Sequence, residues 1–330
     1  MKDFLGKHWF FFGLALVGAV AGLFPELGDR FRQWRIGYGA VFMAFVVVGL
    51  TLDTRKIFRQ ILRGKPLLAS AVFSLFFMPM AAWFLARSVF GADSDFAVGV
   101  AIIAAAPVTV ASGTVMTAMA LGNVALSLLI CVLCNALALV TIPLILPWLL
   151  GAEGAVALPA GAMFRDLAVT VLLPTALGQG MRPLLARHAE SRRKQLSVFS
   201  QCVVLLIVFN AVSSSVERLS AMSGPDMAGL VLFMALLRLA FLVASYGVAR
   251  ALRLDDASVS AFAIHASQKT LTVSYVIWAG FFSERYPLAL LPGIFYHLTQ
   301  MISDTVLAKA FRRRAERAGA GRGTDPYVLS

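Results

Sequence analysis

The sequence predicts an all-α integral membrane protein with ten transmembrane helices in two inverted five-helix repeats, the fourth and ninth helices being broken where they cross. Three observations carry this prediction. First, the 330 residues are 59% hydrophobic and 14% charged, whereas a soluble domain carries about a quarter charged residues. Second, apolar runs of spanning length recur along the chain, and the later five follow the earlier five at an offset of 155 residues. Third, two polar heptapeptides interrupt the matching run of each half: Ala111-Ser112-Gly113-Thr114-Val115-Met116-Thr117 and Ala266-Ser267-Gln268-Lys269-Thr270-Leu271-Thr272. Such paired interruptions are the pattern of discontinuous membrane helices.

A hydrocarbon core of about 30 Å needs about 20 apolar residues per helix. On that basis the first half supplies spans near Trp9–Phe24, Ile36–Leu52, Pro66–Phe90, Phe96–Leu121 and Asn123–Leu150. The second half supplies Met163–Met181, Leu196–Val216, Met227–Ala251, Ala257–Phe282 and Leu288–Ala310. Five spans is an odd number, so the second repeat enters the membrane from the opposite side. The units are therefore residues 1–153, residues 154–310 and a basic, disordered cytoplasmic tail over 311–330.

Positive charge sets the orientation. With both termini inside, the cytoplasmic segments hold 20 of the 29 Lys and Arg residues and the outer segments six. That bias predicts cytoplasmic termini in a multi-pass protein of the cell inner (plasma) membrane. The net charge of +12 thus follows topology and predicts no nucleic-acid partner. The partners expected are the lipid bilayer and a solute, with the chain a monomer or weak homodimer. The four Arg from Arg312 to Arg317 are placed to lie against anionic headgroups.

Other features read as packing or processing. Lys2 and Lys7, the apolar run and Ala19-Val20-Ala21 also resemble a signal peptide, but cleavage would remove a span and break the repeat. Gly18-Ala19-Val20-Ala21-Gly22 predicts a close helix contact within the chain. Cys131 and Cys134 form a C-x-x-C without the strand–helix context of a redox site, so helix packing is their expected role. No nucleotide loop, zinc spacing or nucleophile elbow occurs. No metal, cofactor or catalytic residue is predicted.

In the fourth span Pro107 removes a backbone donor and Gly113 loosens the helix. Thr109, Ser112, Thr114 and Thr117 stand beside them. Unwinding here would free carbonyls for a cation, and the positive start of the second half-helix would suit an anion. Alternatively the hydroxyls bond back to their own helix and Pro107 only kinks it. In the ninth span His265, Ser267, Gln268, Lys269 and Thr270 crowd together. An ammonium at that depth costs about 2.5–3.5 kcal/mol, so Lys269 should face protein or water. Its expected partners are exposed carbonyls, the C-terminal end of a half-helix or an anionic solute. Arg238 either clamps an anionic group, pairs with Asp304 or snorkels to an interface.

The residues Phe77-Met78-Pro79, Pro107 through Thr117, Gly122-Asn123-Val124-Ala125-Leu126-Ser127, Ser267 through Thr272 and Tyr296-His297 with Gln300 resemble the bile acid:sodium symporter superfamily. The likeness is to its SBF-like subgroup, related to solute carrier family 10, and covers residues 8–310. It implies a panel of spans one, two, six and seven and a core of the rest, with sodium and an organic anion bound near the crossing. It matches Ser112 and Ser127 to hydroxyl ligands of one sodium site and Gln268 to an amide ligand of the other.

Departures from the family pattern accompany the match. Ile264 stands where an acidic ligand is expected, Gly113 or Thr114 replaces an Asn, Cys131 a Thr, and Ser74 a Gln. The expectation is therefore a secondary transporter of an organic anion in which Lys269 replaces the coupling ion, so that transport is sodium-independent or proton-linked. The alternative is a non-transporting membrane regulator of ion or cell-envelope homeostasis on the same fold. Candidate ion-binding residues are Ser112, Thr114, Ser127, Gln268 and Lys269. Candidate substrate-binding residues are Thr109, Gly113, Asn123, His265, Ser267, Lys269, Thr270 and Arg238.

Overall fold

The computed structural model describes residues 2–52, 64–151 and 158–320. The expected repeat boundary at 153/154, the basic residues Arg55, Lys56, Arg59 and Arg63, and residues 321–330 of the tail lie outside them. Among the described residues every regular element is a helix. The first half holds α1 (Lys2–Leu23), α2 (Pro25–Gln33), α3 (Ile36–Thr51), α4 (Gly64–Phe90), α5 (Asp95–Ala105), α6 (Ala111–Met119) and α7 (Val124–Gly151). The second holds α8 (Ala160–Ser191), α9 (Arg193–Ser213), α10 (Val216–Ala221), α11 (Gly224–Ala251), α12 (Asp256–Ala266), α13 (Leu271–Phe281) and α14 (Leu291–Ala320).

Five of these, α4, α7, α8, α9 and α11, are long and apolar enough to cross a membrane, while α1, α3 and α5 carry shorter apolar stretches. The protein is thus an all-helical membrane protein. Helix α2 lies where the sequence reading placed a connection. Pro25 pre-sets its first turn, Glu26 complements its positive end, and Phe31 meets the edge of Phe209 at 5.4 Å.

Helices α1, α3, α8 and α9 pack against one another, α3 along α8 and α1 along α9. The α3–α8 crossing is a backbone contact. A Cβ at Gly49 would stand 2.2 Å from Thr175 O, and one at Gly178 2.2 Å from Val46 O. Gln179 Nε2 seals that crossing by donating to Gly49 O at 2.6 Å and Leu52 O at 2.7 Å, the carbonyls α3 leaves unpaired at its end. The close contact expected at Gly18 and Gly22 is not formed among the described residues. No described residue lies within 4 Å of a Cβ at either, because α1 meets α9 through other residues, as at Gly13 beside Leu205.

Helices α4, α7, α11 and α14 pack around the two segments where a helix stops and restarts. Ser94 starts α5 by accepting from the Ala97 amide at 3.1 Å, and Asp255 starts α12 by accepting from Ser258 N at 2.9 Å. Each half-helix is 11 residues long. Helix α5 ends because Pro107 holds Ala106 in an extended conformation (φ −60°, ψ 150°) and cannot donate back.

The tail differs from expectation over its first ten residues. Helix α14 continues to Ala320 rather than ending at 310. Phe311 stacks on Tyr246, Arg312 pairs with Glu316 one turn on, and Arg314 reaches Asp256 at 3.4 Å. Packing, one i,i+4 charge pair and the Arg314–Asp256 contact sustain the helix beyond its apolar part.

Candidate functional site

The two interruptions meet. The Thr270 amide donates to Pro107 O at 2.9 Å, so the backbone of one break satisfies the backbone of the other. Long neighbours close what is left. Asn135 of α7 donates from Nδ2 to Val108 O at 3.1 Å. Gln300 of α14 accepts from the Lys269 amide at 2.8 Å and donates to Lys269 O at 3.4 Å. Irregular backbone at this depth is tolerated only with such partners.

The two breaks together create four helix poles, two negative and two positive. Both negative poles hold a cation belonging to the chain. Lys269, fully buried, donates from Nζ to Ala106 O at the end of α5 at 2.9 Å. It also reaches Ser74 O at 2.5 Å and Ser74 Oγ at 3.1 Å. The Ser74 carbonyl is available for a local reason. Residues Phe73–Phe77 form a wide turn in which Met78 N–H bonds to Phe73 O. In that register the next donor would be Pro79, which has no N–H, so Ser74 O is left for Lys269.

Arg238, also fully buried, fills the other negative pole. It donates from Nη1 to Ser267 O at 2.9 Å and Ser267 Oγ at 2.7 Å, beyond the end of α12. Its Nη2 forms an ion pair with Asp304, and Tyr296 OH shares Ser267 O at 2.8 Å. Of the three readings open for Arg238, the pair with Asp304 is the one formed. Asp304 Oδ2 also accepts from Gln268 Nε2 at 2.6 Å.

The hydroxyls and amides matched to ion ligands are engaged with one another. Gln268 Oε1 accepts from Thr109 Oγ1, to which Ser112 Oγ donates at 2.8 Å. His265 Nε2 lies 2.7 Å from Thr109 O and therefore carries the proton, which leaves Nδ1 to accept from Ser127 Oγ at 2.5 Å. Thr117 Oγ1 stands 3.1 Å from the same serine. Gly113 makes this arrangement possible, since a Cβ there would lie 2.6 Å from both His265 Nε2 and Gln268 Oε1. Thr114 Oγ1 turns back to Val110 O at 3.4 Å.

The two positive poles border a cavity. The starts of α6 and α13 face a cavity of about 200 Å³ lined by Thr109, Val110, Ser112, Thr270, Leu271 and Thr272. Neither Val110 nor Thr270, the residues before these helices, supplies a side-chain cap. The opposite wall comes from α1, α3 and α9, with Phe10, Phe45, Ser197, Ser200, Gln201 and Val204. Gln201 Oε1 and His297 Nδ1, both in this lining, are buried without a hydrogen-bond partner.

Among the candidate residues, Thr109, Ser112 and Thr270 line the cavity. Thr114, Ser127, His265, Ser267, Gln268 and Lys269 form the buried layer behind it, with Gly113 packed among them. Arg238 belongs to that layer and does not reach the cavity. Asn123 is not brought to the site at all. It caps α7 by accepting from Leu126 N at 3.0 Å and holds Ser258 at 3.2 Å. The sequence reading missed Asn135, named Gln300 only as part of the resemblance and Ser74 only as a departure from the family pattern, and offered Asp304 as one reading for Arg238. Their signal was present, since each is a polar side chain within an apolar span.

Comparisons with known proteins show what the chain is similar to. The rice protein named "Probable sodium/metabolite cotransporter BASS4, chloroplastic" (Oryza sativa subsp. indica) is 28% identical over 93% of this chain and 76% of its own length. Sodium/bile acid cotransporter 7-B of Xenopus laevis is 25% identical over 93% of this chain and 92% of its own. Sodium/bile acid cotransporter 7 of Danio rerio is 25% identical over 93% and 94%. These relatives are transporters and not enzymes. A family profile matches residues 8–313, and the chain belongs to the SBF-like CPA transporter family.

Proposed function

We propose that the protein is a secondary carrier of an organic anion that works by alternating access, with Lys269 in place of a coupling sodium ion. The observation that carries this reading is the allocation of the helix poles. Both negative poles at the crossing are held by covalently attached cations, Lys269 and Arg238, while both positive poles open onto the cavity. A mobile cation has no vacant pole to neutralise, and an anion has two. Arg238 is balanced by Asp304. Lys269 therefore leaves the crossing with one unbalanced positive charge among the described residues, behind the place where an anion would rest.

The spent ligands support the same conclusion. Ser127 and Gln268, which the family resemblance matches to sodium ligands, are bonded to His265, Thr109 and Asp304. The ten-span reading, with two inverted repeats and both termini cytoplasmic in the cell inner membrane, is part of this proposal. It rests on the 155-residue offset and the distribution of Lys and Arg. In it α1, α3, α8 and α9 form the panel that moves against the core.

The test is uptake into proteoliposomes after a thermal-shift screen of organic anions has supplied a substrate. Uptake should proceed equally in sodium and choline media, and Lys269→Ala should abolish it. Steep sodium dependence in the wild-type protein would overturn the built-in cation.

A further inference from the structure

Helices α3 and α13 meet through a reciprocal pair of tyrosines and glycines. The Tyr275 ring of α13 lies in the notch of Gly37 on α3, where a Cβ would stand 2.1 Å from Tyr275 Oη and 2.7 Å from its Cζ. The next residue of α3, Tyr38, reaches the other way. Its hydroxyl lies 3.3 Å from the place of a Cβ at Gly280, near the end of α13. The two rings stand with centroids 6.2 Å apart. Tyr275 Oη donates to Asn210 Oδ1 of α9 at 3.4 Å, and both residues are buried. Nearby, Ser215 Oγ donates to Pro287 O at 2.9 Å, between the end of α9 and the turn that leads into α14.

These contacts join α3 and α9 to α13 and its following turn, and they lie beyond one end of the polar cavity. That cavity takes Phe45 and Val48 from α3 and Ser197, Ser200, Gln201 and Val204 from α9. Gly37 precedes Phe45 by eight residues and Asn210 follows Val204 by six, which puts the tyrosines about 10 Å past the lining at 1.5 Å per residue.

We propose that Tyr275 in the Gly37 notch, with Tyr38 against Gly280, is the latch that closes the α2 end of the solute path. The inference rests on the alternating-access reading above, in which α3 and α9 belong to the panel and α13 to the core. A rigid ring seated against a position without a Cβ fits in one alignment of the two helices, so the closure is all-or-none rather than graded. It also holds by shape. A single methyl at Gly37 excludes the closed alignment and leaves an opened one untouched, which shifts the population toward opening.

The experiment is maleimide labelling of single reporter cysteines in lipid nanodiscs, in a Cys202→Ser background, since Cys131 and Cys134 are buried. Val41→Cys, at a fully buried position one turn past Gly37 on α3, reports the latch end. Ser197→Cys, in the cavity wall at the start of α9, reports the other end. Gly37→Ala should raise the labelling rate of Val41→Cys about tenfold, the order by which overpacking shifts an equilibrium, and should slow that of Ser197→Cys. Gly280→Ala, a milder intrusion on Tyr38, should move both rates in the same directions by less. Gly39→Ala, with no described atom within 4 Å of its Cβ, should move neither. Unchanged rates in both Gly37→Ala and Gly280→Ala overturn the latch. So do rates that rise at both reporters, because a methyl that merely loosens the fold would expose both. Labelling needs no solute, so the latch can fail while wild-type uptake still supports the carrier. Failed uptake beside opposite shifts of the two reporters would remove the carrier reading alone.

Discussion

Lys269 Nζ stands 2.9 Å from the carbonyl oxygen of Ala106, so the ammonium from the second broken helix neutralises the negative end of the first. The same nitrogen takes Ser74 O, the carbonyl that Pro79 leaves without a donor. Three features that are unremarkable singly, a proline, a wide turn and a lysine, thus combine into one cation seat.

Removing the lysine should expose that seat. Lys269→Ala strands two buried carbonyls, each costing about 1–3 kcal/mol when left unpaired, and its melting temperature should drop accordingly. The vacated space keeps Ser74 O, Ser74 Oγ and Ala106 O, all hard oxygen ligands. Sodium chloride should therefore raise the melting temperature of Lys269→Ala relative to choline chloride, with no such difference for the wild type.

Gly113 should tolerate no side chain while His265 is present. A Cβ there lies 2.6 Å from His265 Nε2 and Gln268 Oε1, an overpacking that costs about 1–3 kcal/mol. Gly113→Ala should lose stability by that order. The loss should shrink in a His265→Ala background, and a double-mutant cycle of unfolding midpoints reads the coupling directly.

The Arg238–Asp304 pair is fully buried, and removing one partner leaves the other charge uncompensated. Arg238→Met and Asp304→Asn should each destabilise by about 3–5 kcal/mol. Arg238→Met combined with Asp304→Leu should recover part of the loss. Denaturant unfolding in detergent measures all three, and equal stability of the single and double variants would contradict the pairing.

Gly49 and Gly178 bring α3 and α8 into backbone contact. An alanine at either site meets a carbonyl oxygen at 2.2 Å and must push the helices apart. Gly49→Ala should lower the melting temperature, by about 1–3 kcal/mol in stability, whereas Gly18→Ala, in open space, should not. The contrast checks that the panel is joined at α3–α8 rather than through the glycine pair of α1.

The helices and their breaks could be read in advance because their causes are local. Pro107 ends α5 whatever surrounds it, and the polar run from Ser267 to Thr270 cannot lie against lipid. The end of α14 was misjudged because Arg312, Arg313 and Arg314 look like a solvated tail until Tyr246 and Asp256 are beside them. For Arg238 the sequence left three readings open, and proximity to Asp304, 66 residues away, selected one.

The amino-acid string alone therefore specified a membrane protein with interrupted helices and a buried lysine, since hydropathy and proline act within a single helix. Folding supplied the identities of the partners. Ser74 meets Lys269 across 195 residues, Asn135 closes one break, Gln300 the other, and His265 occupies the space that Gly113 leaves empty. Such pairings depend on which helix faces lie together, and buried polar groups at that depth, with no water to bond, must find one another.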